Sequence, residues 1–130
     1  MNIETANHAP VLRVAWVAHK GAGHDTGQNA EAFMKQLLPA DSFVMSDREP
    51  DIILFMSGGS ERRAISLMQP GHPVMLLSIR GNNAYAAATE VMAWAVNNNR
   101  FAILTDALEA SETGLTERWR RTVTVWQSLR

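Results

Sequence analysis

The amino-acid sequence predicts an α/β fold in which a mostly parallel sheet of about five strands lies between two layers of helices. Three features of the chain lead to this prediction. Apolar runs of strand length alternate with segments whose apolar residues recur at helical spacing. The apolar runs are nearly continuous, which is typical of strands that helices cover on both faces. Glycine, asparagine or proline separates many of the runs from the helical segments.

The clearest strand is 51–56, which is followed directly by a glycine-rich turn at 57–60 and a short helical pattern. In an open α/β sheet, such a turn lies at the edge where ligands bind. The order of elements indicates a three-layer, doubly wound topology of the flavodoxin-like or Rossmann-like type. Further strands are predicted at 11–18, 72–79 and 101–105, and helices around 30–38, 61–68, 84–95 and 112–129.

The short apolar segment 42–45 leaves one part of the topology open. Only the five residues 46–50 separate it from the strand 51–56. Parallel neighbouring strands ordinarily need a crossover of a dozen residues or more. Two alternatives follow: a crossover helix is missing here, or the segment is an antiparallel or irregular edge piece.

Composition limits the class of protein and its partners. A chain of 130 residues fits a single α/β domain, with 1–10 as a loose lead-in. The formal net charge of −1 gives no overall field that would attract nucleic acid or an anionic membrane, so neither is expected as a partner. The chain has no cysteine, no apolar run of membrane-spanning length and no signal-peptide pattern at its start. A cytoplasmic domain is therefore predicted.

Four strand ends are expected to converge at the carboxyl edge of the sheet. Glycine lets a backbone approach a ligand closely, and helix N-termini present unpaired N–H groups. This edge therefore suits a small-molecule ligand that bears a phosphate, a carboxylate or several hydroxyls. The alternative is that the same residues only form turns and caps. The predicted ligand-binding residues are Lys20, Gly21, Ser57, Gly58, Gly59, Ser60, Arg80, Asn82 and Asn83.

His19 is the predicted catalytic residue, because it directly follows the first strand. An imidazole at the ligand edge can act as a nucleophile or a general base. The alternative is an exposed loop histidine beside Lys20. His72 starts a strand at the opposite edge of the sheet, so a structural role is predicted for it.

No cofactor and no metal site are predicted. The glycines at 21, 23 and 27 lack the spacing of a dinucleotide fingerprint, and no nucleotide P-loop triplet occurs. Metal-ligand patterns such as His-Glu-x-x-His are also missing from the sequence. The charged residues 61–63 are interpreted as a solvated helix face. The last helix carries Trp119 and Trp126, which indicates either an amphipathic docking helix or a self-association surface. The second alternative predicts a homo-oligomer.

Three motifs within 51–105 give a family resemblance. They are the strand that ends in Ser57-Gly58-Gly59-Ser60-Glu61, the run Pro73-Val74-Met75-Leu76-Leu77, and Asn82-Asn83 leading into an alanine-rich helix. This stretch resembles the N-terminal domain of L-fucose and L-arabinose isomerase-like proteins. The resemblance implies a flavodoxin-like fold that helps to build a sugar site within an oligomer. The metal-binding residues of that family lie in later domains, so the resemblance implies no isomerase activity for this chain alone.

The position of His19 and the Gly58-Gly59-Ser60 turn support a second resemblance, to the IIA phosphocarrier domains of mannose-type sugar phosphotransferase systems. That resemblance implies that His19 carries a phosphoryl group. The chain departs from those domains in its short segment between His19 and Asp51, and in lacking an acidic residue before the turn. Three hypotheses follow: a domain that binds a sugar, sugar phosphate or other anion, a phosphocarrier, and a non-catalytic oligomerisation or interaction module.

Overall fold

The computed structural model of the protein describes residues 11–18, 26–56, 60–79 and 83–128. Strands and helices alternate through most of these residues, which confirms the predicted α/β class. The elements in chain order are β1 (Leu12–Val17), α1 (Thr26–Met34), β2 (Phe43–Met45), β3 (Ile52–Phe55), α2 (Glu61–Leu67), β4 (Val74–Ser78), α3 (Ala84–Asn97), β5 (Ala102–Asp106), α4 (Ala107–Thr113) and α5 (Leu115–Ser128).

The five strands form one sheet in the order β2-β1-β3-β4-β5, and every neighbouring pair is parallel. The predicted mostly parallel sheet of about five strands is therefore confirmed. β3 and β4 lie inside the sheet and all their side chains are buried. Continuous burial explains why these segments are apolar at every position rather than at alternate ones, up to the serine that ends β4.

Helices cover both faces of the sheet. On one face, Ile53 and Phe55 pack in a core that includes buried residues of α2 and α3, and we call this the α2 face. On the other, Ile52 and Leu54 pack in a core that includes buried residues of α1, α4 and α5, and we call this the α1 face. Successive strand residues point to opposite faces, so the two cores alternate along β3. The predicted three-layer arrangement is confirmed.

The segment that the sequence left open is a parallel edge strand. β2 pairs with β1 on the side opposite to β3, so the antiparallel alternative is wrong. Met45 and Ile52 both lie level with Val14, one on each side of β1. Residues 46–51 therefore cross only the width of β1, roughly 10 Å, and this needs no helix. A crossover of a dozen residues or more is expected only between neighbouring parallel strands, and β2 and β3 are not neighbours.

The carboxylate of Asp51 ties three strands together at the amino edge of the sheet. One oxygen accepts a hydrogen bond from the backbone N–H of Arg13 at 2.8 Å, and the other lies 2.9 Å from Nε2 of His72. The backbone of Asp51 also donates to Arg13 and accepts from Met75. His72 thus has a structural partner at the edge opposite to the predicted site.

The carboxyl-terminal helical region differs from the sequence prediction. A single helix was expected at about 112–129, but α4 and α5 are separate helices that meet at Gly114. α4 begins earlier because the side chain of Asp106 caps it, accepting from the N–H of Glu109 at 2.7 Å. Gly114 has φ +82°, a conformation that glycine adopts without the strain of a Cβ.

The first helix is shorter than its apolar pattern predicts. The stripe of apolar residues at helical spacing continues to Leu38, yet α1 ends at Met34 and turns follow. Pro39 disfavours helical geometry at the residue before it, which explains part of this shortening. Leu38 remains buried in the α1-face core despite lying outside the helix. The stripe therefore identified core positions correctly and placed the helix end too late.

Candidate functional site

The carboxyl ends of four strands lie level with one another. Val17 of β1 is aligned with Phe55 of β3, Phe55 with Ser78 of β4, and Ser78 with Asp106 of β5. Because these strands are parallel, the segments that follow them leave the sheet from one edge. This is the edge where ligands bind in open α/β sheets. The predicted site depended on this alignment.

Most of the predicted site residues lie outside the described residues. The chain approaches them from Ala18, Met56 and Ile79, the last described residues after β1, β3 and β4. Ser60 and Asn83 are described, and they precede α2 and α3. The predicted residues outside the described part are His19, Lys20, Gly21, Ser57, Gly58, Gly59, Arg80 and Asn82.

Ser60 has a structural function that the sequence pattern anticipated as an alternative. It is the N-cap of α2, with φ −79° and ψ 119°, and its Oγ accepts a hydrogen bond from the N–H of Arg63 at 3.2 Å. This satisfies one of the free N–H groups in the first turn. The hydroxyl of Ser60 is therefore already engaged by the protein.

Asn83 precedes α3 as expected, but its side chain does not cap the helix. The residue adopts the left-handed conformation with φ 65°, and its side chain makes no cap hydrogen bond. The residue is exposed at the carboxyl edge. Its amide can therefore bind a ligand, and the first turn of α3 has no side-chain cap from this residue. The pattern identified the boundary correctly, and the alternative in which the side chain of Asn83 caps the helix is wrong.

Two buried hydroxyls lie near this edge of the sheet. Ser78, at the end of β4, donates through Oγ to the carbonyl of Ile79 at 2.8 Å. Thr105 of β5 is 1% exposed, and its Oγ1 has no hydrogen-bond partner within the described structure. A buried hydroxyl without a partner is unfavourable, since it has lost its hydrogen bonds to water.

Replacing Thr105 with valine is expected to raise the free energy of unfolding by about 1 kcal/mol, because the shape is kept and an unpaired hydroxyl is removed. Chemical denaturation of both proteins measures this difference. Thr122→Val is the matched control. Thr122 is also buried, at 4% exposed, but its Oγ1 donates to the carbonyl of Arg118 at 2.8 Å. Equal destabilisation by both substitutions would contradict the prediction.

A groove with a cavity volume of about 430 Å³ runs along the side of β1. Arg63 lies in its wall, and its guanidinium forms an ion pair with the carboxylate of Asp47 at 2.9 Å. The sequence interpretation treated Arg63 as part of a solvated helix face. Its spacing of three residues from Ser60 could have placed both on one side of α2. The groove is lined by Val14, Ala15, Trp16, Val17, Ala18, Met45, Ser46, Asp47, Ser60 and Arg63.

Two features are missing from the described part of the chain. It contains no group of three or more histidine, aspartate or glutamate side chains placed to hold a metal ion. Among its helices, none combines the length and apolar character needed to cross a membrane. Among the described residues, the side-chain groups at or near the carboxyl edge include the hydroxyls of Ser60 and Ser78, the amide of Asn83 and the carboxylate of Asp106.

Comparisons with known proteins give no relative for this chain. No family model matches it, and neither does any curated protein or solved structure. The architecture therefore defines the class, a three-layer α/β domain with a parallel sheet. The two family resemblances noted in the sequence stay predictions.

Proposed function

We propose that the protein is a small-molecule-binding α/β domain that holds a sugar, a sugar phosphate or another anion at the carboxyl edge of its sheet. The alignment of Val17, Phe55, Ser78 and Asp106 is the observation that carries this proposal. It supports a common edge for the segments that contain the predicted binding residues. The proposal gives this chain no isomerase activity by itself.

The chemistry of the edge supports a polar ligand. The exposed amide of Asn83 offers both a donor and an acceptor, which suits hydroxyl groups. The N-terminal turn of α3 presents backbone N–H groups and the positive end of the helix dipole, which suits an anion. In the proposed complex, the segments 57–60 and 82–83 cradle the ligand.

A thermal-shift screen with sugars and sugar phosphates tests the proposal. A ligand present at about 100 times its Kd stabilises the native state by about 2.7 kcal/mol, and the melting temperature then rises by on the order of 10 °C. Asn83→Gly removes the amide and keeps a residue that tolerates positive φ, so it is expected to reduce the response. Asn99→Gly is the matched control, because Asn99 is also exposed with φ 56° but lies beyond the other end of α3.

Two outcomes would contradict this function. One is the lack of any response to the whole panel at millimolar concentrations. The other is an equal loss of response in Asn83→Gly and Asn99→Gly, since a ligand at the carboxyl edge contacts only the first of these positions.

A phosphocarrier function is the second candidate, and the position of β1 favours it. Val17 ends β1 at the carboxyl edge, and His19 follows two residues later. Incubation with a phosphorylated carrier protein would give an acid-labile adduct that His19→Ala abolishes. His72→Ala is the control, because His72 lies at the amino edge beside Asp51. Labelling that survives in His19→Ala would exclude this candidate.

Self-association is a third candidate, and only part of its predicted surface is described. Trp119 is half-buried and packs against the α1-face core, so it contributes less free surface than the sequence suggested. The side chain of Trp126 lies outside the described part of the structure. Light scattering over a range of protein concentrations tests this candidate, and a monomer at every concentration would exclude it.

A further inference from the structure

β1 is longer than its neighbour at the edge of the sheet. β2 pairs with Leu12, Arg13 and Val14 and then ends. The second half of β1, 15–17, pairs with β3 on its other side. On the side where β2 has ended, no described strand lies beside these three residues.

The hydrogen bonds of β1 show which backbone groups point to this open side. Leu12 donates to Ser42 and Val14 accepts from Ser46, each at 2.9 Å, so the even-numbered residues face β2. The carbonyls of Arg13 and Val17 accept from residues of the β3 segment, so the odd-numbered residues face β3. Backbone direction alternates along a strand. The N–H and C=O of Trp16 therefore point to the open side.

Within the described residues, nothing pairs with these two groups of Trp16. A strand edge with free donors and acceptors is a template for another extended chain. Proteins normally protect such an edge with a charge, a proline or a covering element. At this edge, Trp16 is 36% exposed.

A hydrogen-bonded turn follows β2 beside this opening. After Ser46 donates to Val14, its Oγ accepts from the N–H of Arg48 at 3.2 Å. The side chain of Arg13 then donates to the carbonyl of Arg48, also at 3.2 Å. The chain thus turns after Met45 and leads to β3, and β2 does not continue alongside Trp16.

The groove of about 430 Å³ lies along this open edge, from Val14 to Ala18. Val14 and Ala18 are four residues apart, and an extended chain of that length spans roughly 13 Å. In the described lining, the one cation is Arg63, and it is already paired with Asp47. The unpaired groups of the groove are instead a backbone donor and a backbone acceptor on one residue of a strand, which is the pattern that another strand satisfies.

We propose that this groove binds an extended peptide segment of a partner protein, which adds to β1 as a short strand in line with β2. The segment contributes three or four residues and hydrogen-bonds to the backbone of Trp16. Alternate side chains of an added strand point to opposite faces, so one apolar side chain packs on the indole of Trp16. This groove shares Ser60 with the segment 57–60 that is proposed to hold a ligand at the carboxyl edge, so different measurements are needed to tell the two proposals apart.

Amide hydrogen exchange tests the premise in the free protein. The N–H of Trp16 is expected to exchange at least about tenfold faster than that of Leu12, which is bonded to Ser42. Similar protection of both amides in dilute protein would show that the edge is already occupied, and would overturn the proposal. If protection of the Trp16 amide increased with protein concentration, the edge would be bound by a second copy of the chain. That result would also overturn the proposal.

A displayed library of random seven-residue peptides tests the partner. Enriched peptides are expected to protect the Trp16 amide of the wild-type protein and to share an alternating apolar pattern. Trp16→Lys places a charge at the edge and is expected to weaken binding by about tenfold or more. Val96→Lys is the matched control, since Val96 is 65% exposed near the end of α3, and it is expected to bind like wild type.

Three results would overturn the peptide proposal. They are a library without enriched peptides, enriched peptides that leave the Trp16 amide unprotected, and protection of that amide by free sugars or inorganic phosphate instead. The amide measurement is made on wild-type protein, so it decides the matter even where Trp16→Lys fails to fold. The proposed sugar or anion site is read out separately by Asn83→Gly.

Discussion

Replacing Phe55 with alanine is expected to lower the free energy of unfolding by about 3–5 kcal/mol. Phe55 is 0% exposed, and it belongs to the core between β3 and the helices of the α2 face. Truncation removes most of a large apolar side chain and leaves a cavity that a sheet covered on both faces closes poorly. Denaturation in guanidinium chloride, monitored by tryptophan fluorescence and by circular dichroism, measures the change.

Val44→Ala is the control for Phe55→Ala. Val44 also lies in a strand, but it is 49% exposed at the edge of the sheet. Its replacement is expected to change stability by no more than about 0.5 kcal/mol. If the free energy of unfolding of Phe55→Ala fell by as little as this, the aligned strand ends would not be held by a packed core. The proposed carboxyl-edge site would then lose its rigid support.

Replacing Asp51 with alanine is expected to lower the free energy of unfolding by about 3 kcal/mol, because it leaves a backbone N–H and an imidazole without their charged partner. The side chain of Asp51 is only 15% exposed. Its two oxygens serve Arg13 in β1 and His72 before β4. Removing it therefore weakens the amino edge at three strands simultaneously. Thermal and chemical denaturation measure the loss.

Two variants separate the contacts of Asp51. His72→Ala keeps the bond from Asp51 to Arg13 and is expected to cost about 1 kcal/mol or less, since His72 is partly exposed. Asp51→Asn retains an oxygen for the N–H of Arg13, so its loss of stability is expected to lie between those of His72→Ala and Asp51→Ala. If His72→Ala were as unstable as Asp51→Ala, the loss of stability would come from the contact between Asp51 and the His72 imidazole. That result would contradict the proposed role of the hydrogen bond from the N–H of Arg13 to Asp51.

The sequence predicted the parallel sheet well because burial on both faces has a local signature. The runs at 51–56 and 72–79 are apolar at nearly every position, and all side chains of β3 and β4 are buried. The position of 43–45 was not predictable in the same way. Which side of β1 a short strand occupies depends on contacts across the sheet, and three residues carry too little pattern to reveal them.

The candidate site shows the same division between local and distant information. The boundaries at Ser60 and Asn83 followed from turn and cap chemistry. The lack of a side-chain cap from Asn83 did not follow, because its residue type alone does not reveal its left-handed backbone. Asp47 and Arg63 are 16 residues apart, and only the crossover of 46–51 brings them together. No spacing rule links such a pair.

The place of β1 between β2 and β3 affects how the chain assembles during translation. β1 is synthesised first among the strands, yet its inner neighbour β3 ends 38 residues later, counting from Val17 to Phe55. At roughly 5–20 residues per second, the nascent strand waits about 2–8 seconds for that neighbour. Until then Val17 has no strand to pair with, and Leu12 and Val14 can pair only with the three residues of β2. We therefore expect the emerging amino-terminal half to bind chaperones on the ribosome until β3 is made.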